Sequence, residues 1–329
     1  MGQEKMSQTL SPVVDQVTIG IDIGKQRLDV HSLPDGTSQC FPNDPVGIAA
    51  LTCWASERQP TRILFEATGA YHRALETTLR QAGLPAVKLN PWRVRRFAEA
   101  IGTRAKTDPV DAAVLAQFGV SLRPSIPPPS DAATDQLREL LSARLALIKD
   151  RTAARQRGMT RTLRLLARQG QDRLRHVTAQ IKAIDQACLA LIASQPRLQA
   201  RFDILTSIPG IGPVLAITLL ALMPELGTLD AKAVASLAGL APMDRQSGNW
   251  KGRSFIQGGR KPVRDALYMP ALVAIRFNPP LKATYEAMIT AGKPAKLAIT
   301  AIMRRLLILA NALLRDNRRW TLERNAPAA

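Results

Sequence analysis

Along residues 17–100 the spacing of apolar and polar positions switches repeatedly between two periods. VTIGIDIG, residues 17–24, is a short apolar run closed by glycine and predicts a buried strand; RLDVHSL predicts the next. ILFEATG, residues 63–69, is a further short apolar run that ends at a turn. YHRALETTLRQAG has helical spacing with Gly83 as its stop, AVKLNP reads as a short strand, and PWRVRRFAEAIG returns to helix. Strand and helix in alternation predict an α/β domain.

The pattern changes at RPSIPPPSD, where four prolines in nine residues exclude both a helix interior and a central strand. Beyond it strand signals nearly vanish. Residues 131–194 predict one long helix, or two helices broken near residues 169–171. Within this region Leu174, Val177, Ile181, Ile184, Cys188 and Leu191 recur at alternating spacings of three and four, an a/d seam. A seam this short fits an antiparallel hairpin packed on its own domain, and equally a dimerisation element. From Ile204 the chain is helical again, with helices expected near residues 262–276, 281–291 and 295–316. Residues 241–261 interrupt them with a polar, basic, glycine-rich stretch, and a compact domain keeps a loop that long for a functional reason. The expected parts are a flexible start (1–16), an α/β domain (17–124), a Pro-rich linker with helices (125–203), a second helical domain (204–316) and a tail (317–329).

Composition narrows the function. A chain of 329 residues that is 46% apolar can build two or three cores and is no disordered tail. Its longest apolar run, residues 214–223, falls short of the roughly 20 residues a spanning helix needs. The N-terminal residues lack a basic-then-apolar signal, so a cytoplasmic protein with no membrane partner is expected. Cys40, Cys53 and Cys188 match neither a zinc spacing nor a disulfide framework, and buried neutral thiols are expected. The charge is more telling: 45 basic against 26 acidic residues give +19, so the expected partner is a polyanion, nucleic acid before a membrane surface. With 4% aromatics, phosphate contact rather than base stacking should dominate. Residues 1–124 carry +2, residues 125–203 carry +7 and residues 204–329 carry +10. The first domain is therefore almost neutral, which directs attention to its acids.

Asp22 lies in an apolar strand, where an ionised carboxylate is costly unless paired or bound to metal. Glu66 ends a second apolar run, and Asp108 and Asp111 stand three apart in KTDPVDA, on one face of a predicted helix. Four such carboxylates gathered at one sheet edge imply bound cations, and oxygen ligands point to Mg²⁺ or Mn²⁺. Each acid also has a plainer reading: Asp108 as a helix cap before Pro109, Glu66 as a turn acid, Asp22 as part of an actin-like phosphate loop. Asp29 and Asp35 read as edge and turn residues.

In the C-terminal half, IPGIG at residues 208–212 resembles a helix-hairpin-helix turn whose backbone N–H groups, around Gly210 and Gly212, can cradle phosphate; a purely structural turn is the alternative. The polar loop holds Ser247 between Gln246 and Gly248, with Arg245, Lys251, Arg253, Arg260 and Lys261 nearby. A serine attacking phosphorus needs such charge neutralisation, although serines beside glycine are commonly turn formers. Arginines at 151, 155, 157, 161, 164, 168, 173 and 175 line the central helices, as a solvated face or as a phosphate-binding one; Arg155 and Arg161 are taken as nucleic-acid contacts.

GIDIGKQRLDV, FEATGAY, LNP, KTDPVDA, IPGIG, GLAP followed by SG, and VRDALYMP run in this order over residues 17–305. Together they resemble the DEDD transposases of the insertion-sequence-110 family, RNA-guided DNA recombinases. The resemblance implies an N-terminal RuvC-like, RNase H-type domain with a metal-binding tetrad of Asp22, Glu66, Asp108 and Asp111. It further implies a coiled-coil segment joining protomers and a C-terminal transposase domain whose nucleophile is Ser247, with Ser254 a weaker rival. Also implied are a homo-oligomer, dimers assembling to a tetramer, in which one protomer's tetrad meets another's serine, and a structured guide RNA that pairs with donor and target DNA. Such a protein would act on the nucleoid of a prokaryotic cell. Two other readings stand beside it: a metal-dependent, structure-specific nuclease using water, and a nucleic-acid-binding protein without catalysis.

Overall fold

The computed structural model describes residues 16–66, 69, 71–103, 108–126, 131–160, 162–244, 246–247, 250–252 and 254–322, with residues 108, 109, 246, 250 and 251 described by backbone alone. The chain divides into two compact units, Met1–Pro129 and Ser130–Ala329.

Unit 1 is a five-stranded sheet of β1 (Thr18–Ile23), β2 (Arg27–Leu33), β3 (Ser38–Pro42), β4 (Arg62–Glu66) and β5 (Ala86–Leu89) in the order β3-β2-β1-β4-β5. β1, β2 and β3 pair antiparallel, while β4 runs parallel to β1 and β5 parallel to β4. The order and mixed polarity are compatible with an RNase H-like domain, as expected. Because side chains alternate between the faces of a strand, each apolar run serves two cores. Ile19, Ile21, Ile63 and Phe65 pack with α1 (Pro45–Glu57) and α2 (Arg73–Gln81). Leu64, Val87 and Leu89 pack with α3 (Pro91–Ala100) and α4 (Asp108–Leu122) on the other side.

Two glycines let α4 lie against the backbone of the central strand. A Cβ on Gly20 would sit 2.1 Å from the Ala112 oxygen and 2.5 Å from the Ala116 nitrogen; one on Gly119 would meet Leu64 and Thr18 at 2.4 and 2.6 Å. Residues 112–116 therefore cover Gly20 and residue 119 covers Thr18, so α4 runs antiparallel to β1 and its N-terminus reaches the strand's C-terminal end.

The sequence pattern did not reveal β3 or α1. The edge strand β3 buries only Phe41 and offers no alternation to read. α1 is started by Asp44, whose Oδ1 accepts the Gly47 N–H at 2.8 Å, with Pro45 in the first turn.

Unit 2 is helical: α5 (Ala132–Gly158), α6 (Arg164–Ala193), α7 (Pro196–Thr206), α8 (Pro213–Leu222), α9 (Ala231–Leu237), α10 (Lys261–Phe277), α11 (Pro279–Thr290) and α12 (Ala295–Arg315). Apart from Thr218, α8 is apolar, and Leu215 to Ala221 are all buried, because α5, α7 and α10 surround it. α12 is the one described helix long and apolar enough to cross a membrane; here Ala298, Ile302, Leu306, Ala310 and Leu313 face the core. From α12, Asn311 accepts the Gly227 N–H at 2.7 Å and donates to the Leu229 oxygen at 2.8 Å, tying the α8–α9 connection to the core.

α5 and α6 form an antiparallel hairpin. Arg144 pairs with Asp185, and Leu137 and Leu141 share a core with Ile192 and Cys188. The expected break near residues 169–171 is corrected: α5 ends at Gly158 and α6 begins at Arg164, so Gly170 is a buried position inside a helix. An isolated glycine inside a helical pattern is tolerated and need not mark a boundary. The thiol expectation also changes, since Cys40 and Cys53 are exposed and only Cys188 is buried.

Candidate active site

Strand register and helix direction set the candidate acids of unit 1 at one end of the sheet. The pairing of β1 with β4 runs from Thr18 opposite Arg62 to Ile21 opposite Phe65, which levels Asp22 with Glu66 at the next step. Asp22 has the parity of Gly20 and Glu66 that of Leu64, so both point to the face covered by α4. Asp111 lies in the first turn of α4, one residue before Ala112, at the end that approaches Asp22. All three are half-buried and take part in polar or electrostatic interactions. Asp108 starts the same helix, and its side chain lies outside the described residues. The helix N-terminus adds its positive dipole end to this cluster of acids.

Sequence reading placed Asp29 at an edge; the structure corrects this. Asp29 stands directly opposite Asp22 in the β1–β2 pair, is buried, and is bound by Arg27 at 3.0 Å, because β3 covers the outer side of β2. The hairpin arithmetic across the turn at Gly24–Gln26 was the signal that would have found it. Asp35 is the turn residue expected: Thr37 donates to it at 2.6 Å, and this bond holds its carboxyl below the usual range. Among the described residues no three His, Cys, Asp or Glu side chains are already grouped around one point for a metal. The donor set nonetheless fits a hard divalent ion, since it consists of carboxylate oxygens with neither sulfur nor imidazole.

In unit 2 the polar loop is a narrow arm. β6 (Pro242–Met243) pairs with β9 (Phe255–Ile256), and further out β7 (Gln246–Ser247) pairs with β8 (Trp250–Lys251). Ser247 is exposed and stands opposite Trp250 in this outer pair. Ser254 Oγ, the rival hydroxyl, donates to Asp244 between the two ribbons. At the base, Gly239 and Gly259 both have positive φ, and a Cβ on Gly259 would lie 2.1 Å from the Gly239 nitrogen. Arg264 spans the junction by donating to the Gly258 and Gly239 oxygens.

The basic candidates divide by environment. Arg260 holds Glu225 through both guanidinium N–H₂ groups, at 2.7 and 2.9 Å, and donates to the Leu222 oxygen. It anchors the arm's base, where the sequence suggested a phosphate contact. Its bonds keep the Glu225 carboxyl below the usual range although burial pushes the other way. Lys261 is exposed and pairs with Asp265 one turn on; Arg155 is exposed on α5. Arg161, Arg245 and Arg253, and the side chain of Lys251, lie outside the described residues. Gly210, with φ of +109°, lets the turn before α8 close onto α10, where a Cβ would stand 2.7 Å from that of Ala274. Gly212 opens on free space at the start of α8, a helix with no side-chain cap.

Two family profiles match the chain in tandem: a DEDD-type transposase profile over residues 19–166, and a transposase profile of the IS116/IS110/IS902 family over residues 202–286. The pilin gene-inverting protein of Moraxella lacunata is 33% identical over 91% of this chain and 96% of its own length. The chain belongs to the IS110 family of transposases. The same protein of Moraxella bovis matches equally, and an IS900 protein of Mycobacterium paratuberculosis is 34% identical over 39% of this transposase and 33% of itself. Among solved structures, Thermus thermophilus RuvC in complex with a Holliday junction substrate aligns to 32% of the transposase and 96% of that chain, at 15% identity and a TM-score of 0.25. As a member of this family the transposase is a DNA-recombining enzyme, and DNA is its partner.

Proposed function

We propose that this transposase excises and inserts an insertion sequence by cutting and rejoining DNA through a covalent phosphoserine at Ser247. The observation that carries the reading is the convergence, by register and helix direction, of Asp22, Glu66 and the start of α4 at one end of a sheet, with Ser247 exposed on a separate arm. Asp22, Glu66, Asp108 and Asp111 would hold Mg²⁺ or Mn²⁺. A divalent ion bound there supplies neutralisation of the phosphate charge and of the departing oxygen.

The remaining chemistry belongs to the chain. Ser247 Oγ attacks phosphorus, the Oγ–P ester forms, the bond to the 3′-oxygen breaks, and the serine proton is delivered to that 3′-oxygen. A 3′-hydroxyl of another strand then reverses the step and frees the serine. Because the ester linkage is kept throughout, rejoining needs no ATP. Lys251, with Arg245 and Arg253, is suited to neutralise phosphate near Ser247. Arg155 and Arg161 on the hairpin, Lys261, and the turn at Gly210 and Gly212 in its helix-hairpin-helix role hold the backbone of the nucleic acid. The α5–α6 hairpin is the element we assign to joining protomers, as dimers that assemble to a tetramer with tetrad and serine from different chains. A structured RNA encoded by the element selects donor and target by base pairing.

The test is trapping. Protein is incubated with Mg²⁺, element-derived RNA and donor DNA, and the residue bearing phosphate is identified by mass spectrometry. A phosphopeptide containing Ser247, absent from Ser247→Ala, is the expected result. Nicked products with free ends and no adduct would instead support water as the nucleophile.

A further inference from the structure

At the end of the sheet where β1 and β4 finish, on the face packed by α1 and α2, unit 1 has an open recess of about 240 Å³ that the proposed chemistry does not use. Its lining combines one cation, Lys25, one aromatic ring, Tyr71, the polar Asn43 and an apolar portion from Pro45, Ile48 and Ala74. Lys25 is three residues beyond Asp22 and Tyr71 five beyond Glu66, so two of the lining residues are close in the chain to the strand acids. Asn43 binds these segments together: its Nδ2 donates to the Gly24 oxygen at 2.8 Å and to the Tyr71 oxygen at 3.4 Å, while its backbone N–H bonds the Gln26 oxygen at 2.9 Å. Tyr71 leaves 46% of its surface to solvent, so its ring is accessible to a ligand.

We infer that this cavity receives one unstacked base of the DNA strand being cut, with Tyr71 as its stacking face and Lys25 on the adjoining phosphate. Four observations converge on this ligand. The volume is below the ~300–1,000 Å³ of pockets for drug-sized ligands, and suits a single heterocycle. A flat aromatic wall with an apolar lining stacks any base, whereas a free phosphate has no use for either. The carboxylate of Asp44, also in the lining and capping α1, repels phosphate from that side and leaves Lys25 as the anion's place. Finally, Lys25 and Tyr71 follow Asp22 and Glu66 by three and five residues in the chain, which favours the strand those acids would cut over a guide. Extracting a base bends the backbone and presents a chosen phosphodiester to the acids. The inference rests on the proposed role of those acids.

Photocrosslinking tests it without requiring cleavage. Full-length protein, wild-type or Asp22→Asn, is irradiated with a single-stranded DNA 12-mer carrying 5-iododeoxyuridine, and adducts are mapped by mass spectrometry. A Tyr71 adduct is expected in both proteins. In a separate anisotropy titration of the same 12-mer, Tyr71→Ala should weaken binding about 5- to 100-fold while Tyr71→Phe stays near wild type. Unchanged circular dichroism and melting of the half-exposed Tyr71→Ala protein exclude misfolding as the cause. Adducts that avoid Tyr71, equal binding by Tyr71→Ala, or stronger capture of an RNA 12-mer of the same sequence would each overturn the inference. If Asp22→Asn still cleaves while the Tyr71 adduct forms, the reading of the acids fails and the pocket stands.

Discussion

The two units solve opposite mechanical problems. In unit 1 the candidate acids sit on a central strand, its neighbour and a helix laid against bare backbone at Gly20, so several elements fix each carboxylate. In unit 2 the candidate nucleophile sits on paired strands of two residues each, joined to the helical body at Gly239 and Gly259. Carboxylates that share an ion must keep their spacing, which a buried sheet provides. A serine that becomes bonded to DNA and must hand it on gains from reach, which a thin arm provides.

The largest effects should separate these roles. Ser247→Ala is expected to abolish covalent adducts and strand transfer, by roughly 10⁶-fold if it behaves as nucleophile loss does elsewhere. Asp22→Asn should lower cleavage by at least roughly 100- to 1,000-fold while DNA retention in a filter-binding assay stays unchanged. Equal loss of DNA retention in both variants would break the comparison.

Packing changes come next. Leu306→Ala in the core of unit 2 should cost about 2–5 kcal/mol in urea denaturation. Gly20→Ala should cost about 1–3 kcal/mol, because α4 must move away from β1. Their consequences should differ: Gly20→Ala displaces the acids and lowers cleavage even where the protein is folded, and Leu306→Ala lowers activity only in proportion to the folded fraction.

The Arg260–Glu225 anchor gives a smaller, pH-dependent effect. Since the folded Glu225 carboxyl lies below its ordinary range, it contributes stability above that range, and the contribution is lost as pH falls through and below it. Denaturation midpoints over an acid series should show this fall, and Glu225→Gln should flatten it. The smallest change is expected at the exposed Arg155. Substitution by alanine should weaken DNA binding uniformly across sequences and lower the slope of log K against log salt by about 1.

How far the chain could be read without coordinates depended on whether a feature was periodic. β1, β2, β4 and β5 were legible because apolar runs bounded by Gly and Pro admit few alternatives, and the helices of unit 2 because their spacing persists over several turns. Register then did what pattern could not: it set Asp29 opposite Asp22. The edge strand β3 was invisible because four of its five residues are exposed. Strands of two residues have no period at all, so the arm read as a loop. Arg260 reads as a phosphate ligand because it lies in a basic stretch, and only the structure reveals its internal partner Glu225, 35 residues earlier in the chain.

The touching glycines at the base of the arm have an evolutionary consequence. Since the chain departs from and returns to the helical body at one point, residues inserted or deleted between Gly239 and Gly259 alter no distance within that body. Closing a longer excursion is cheap as well, at about 0.6 kcal/mol for each doubling of its length. The segment bearing the serine is thus an exchangeable cassette, whose span can be retuned to a different DNA geometry while the scaffold beneath it stays the same.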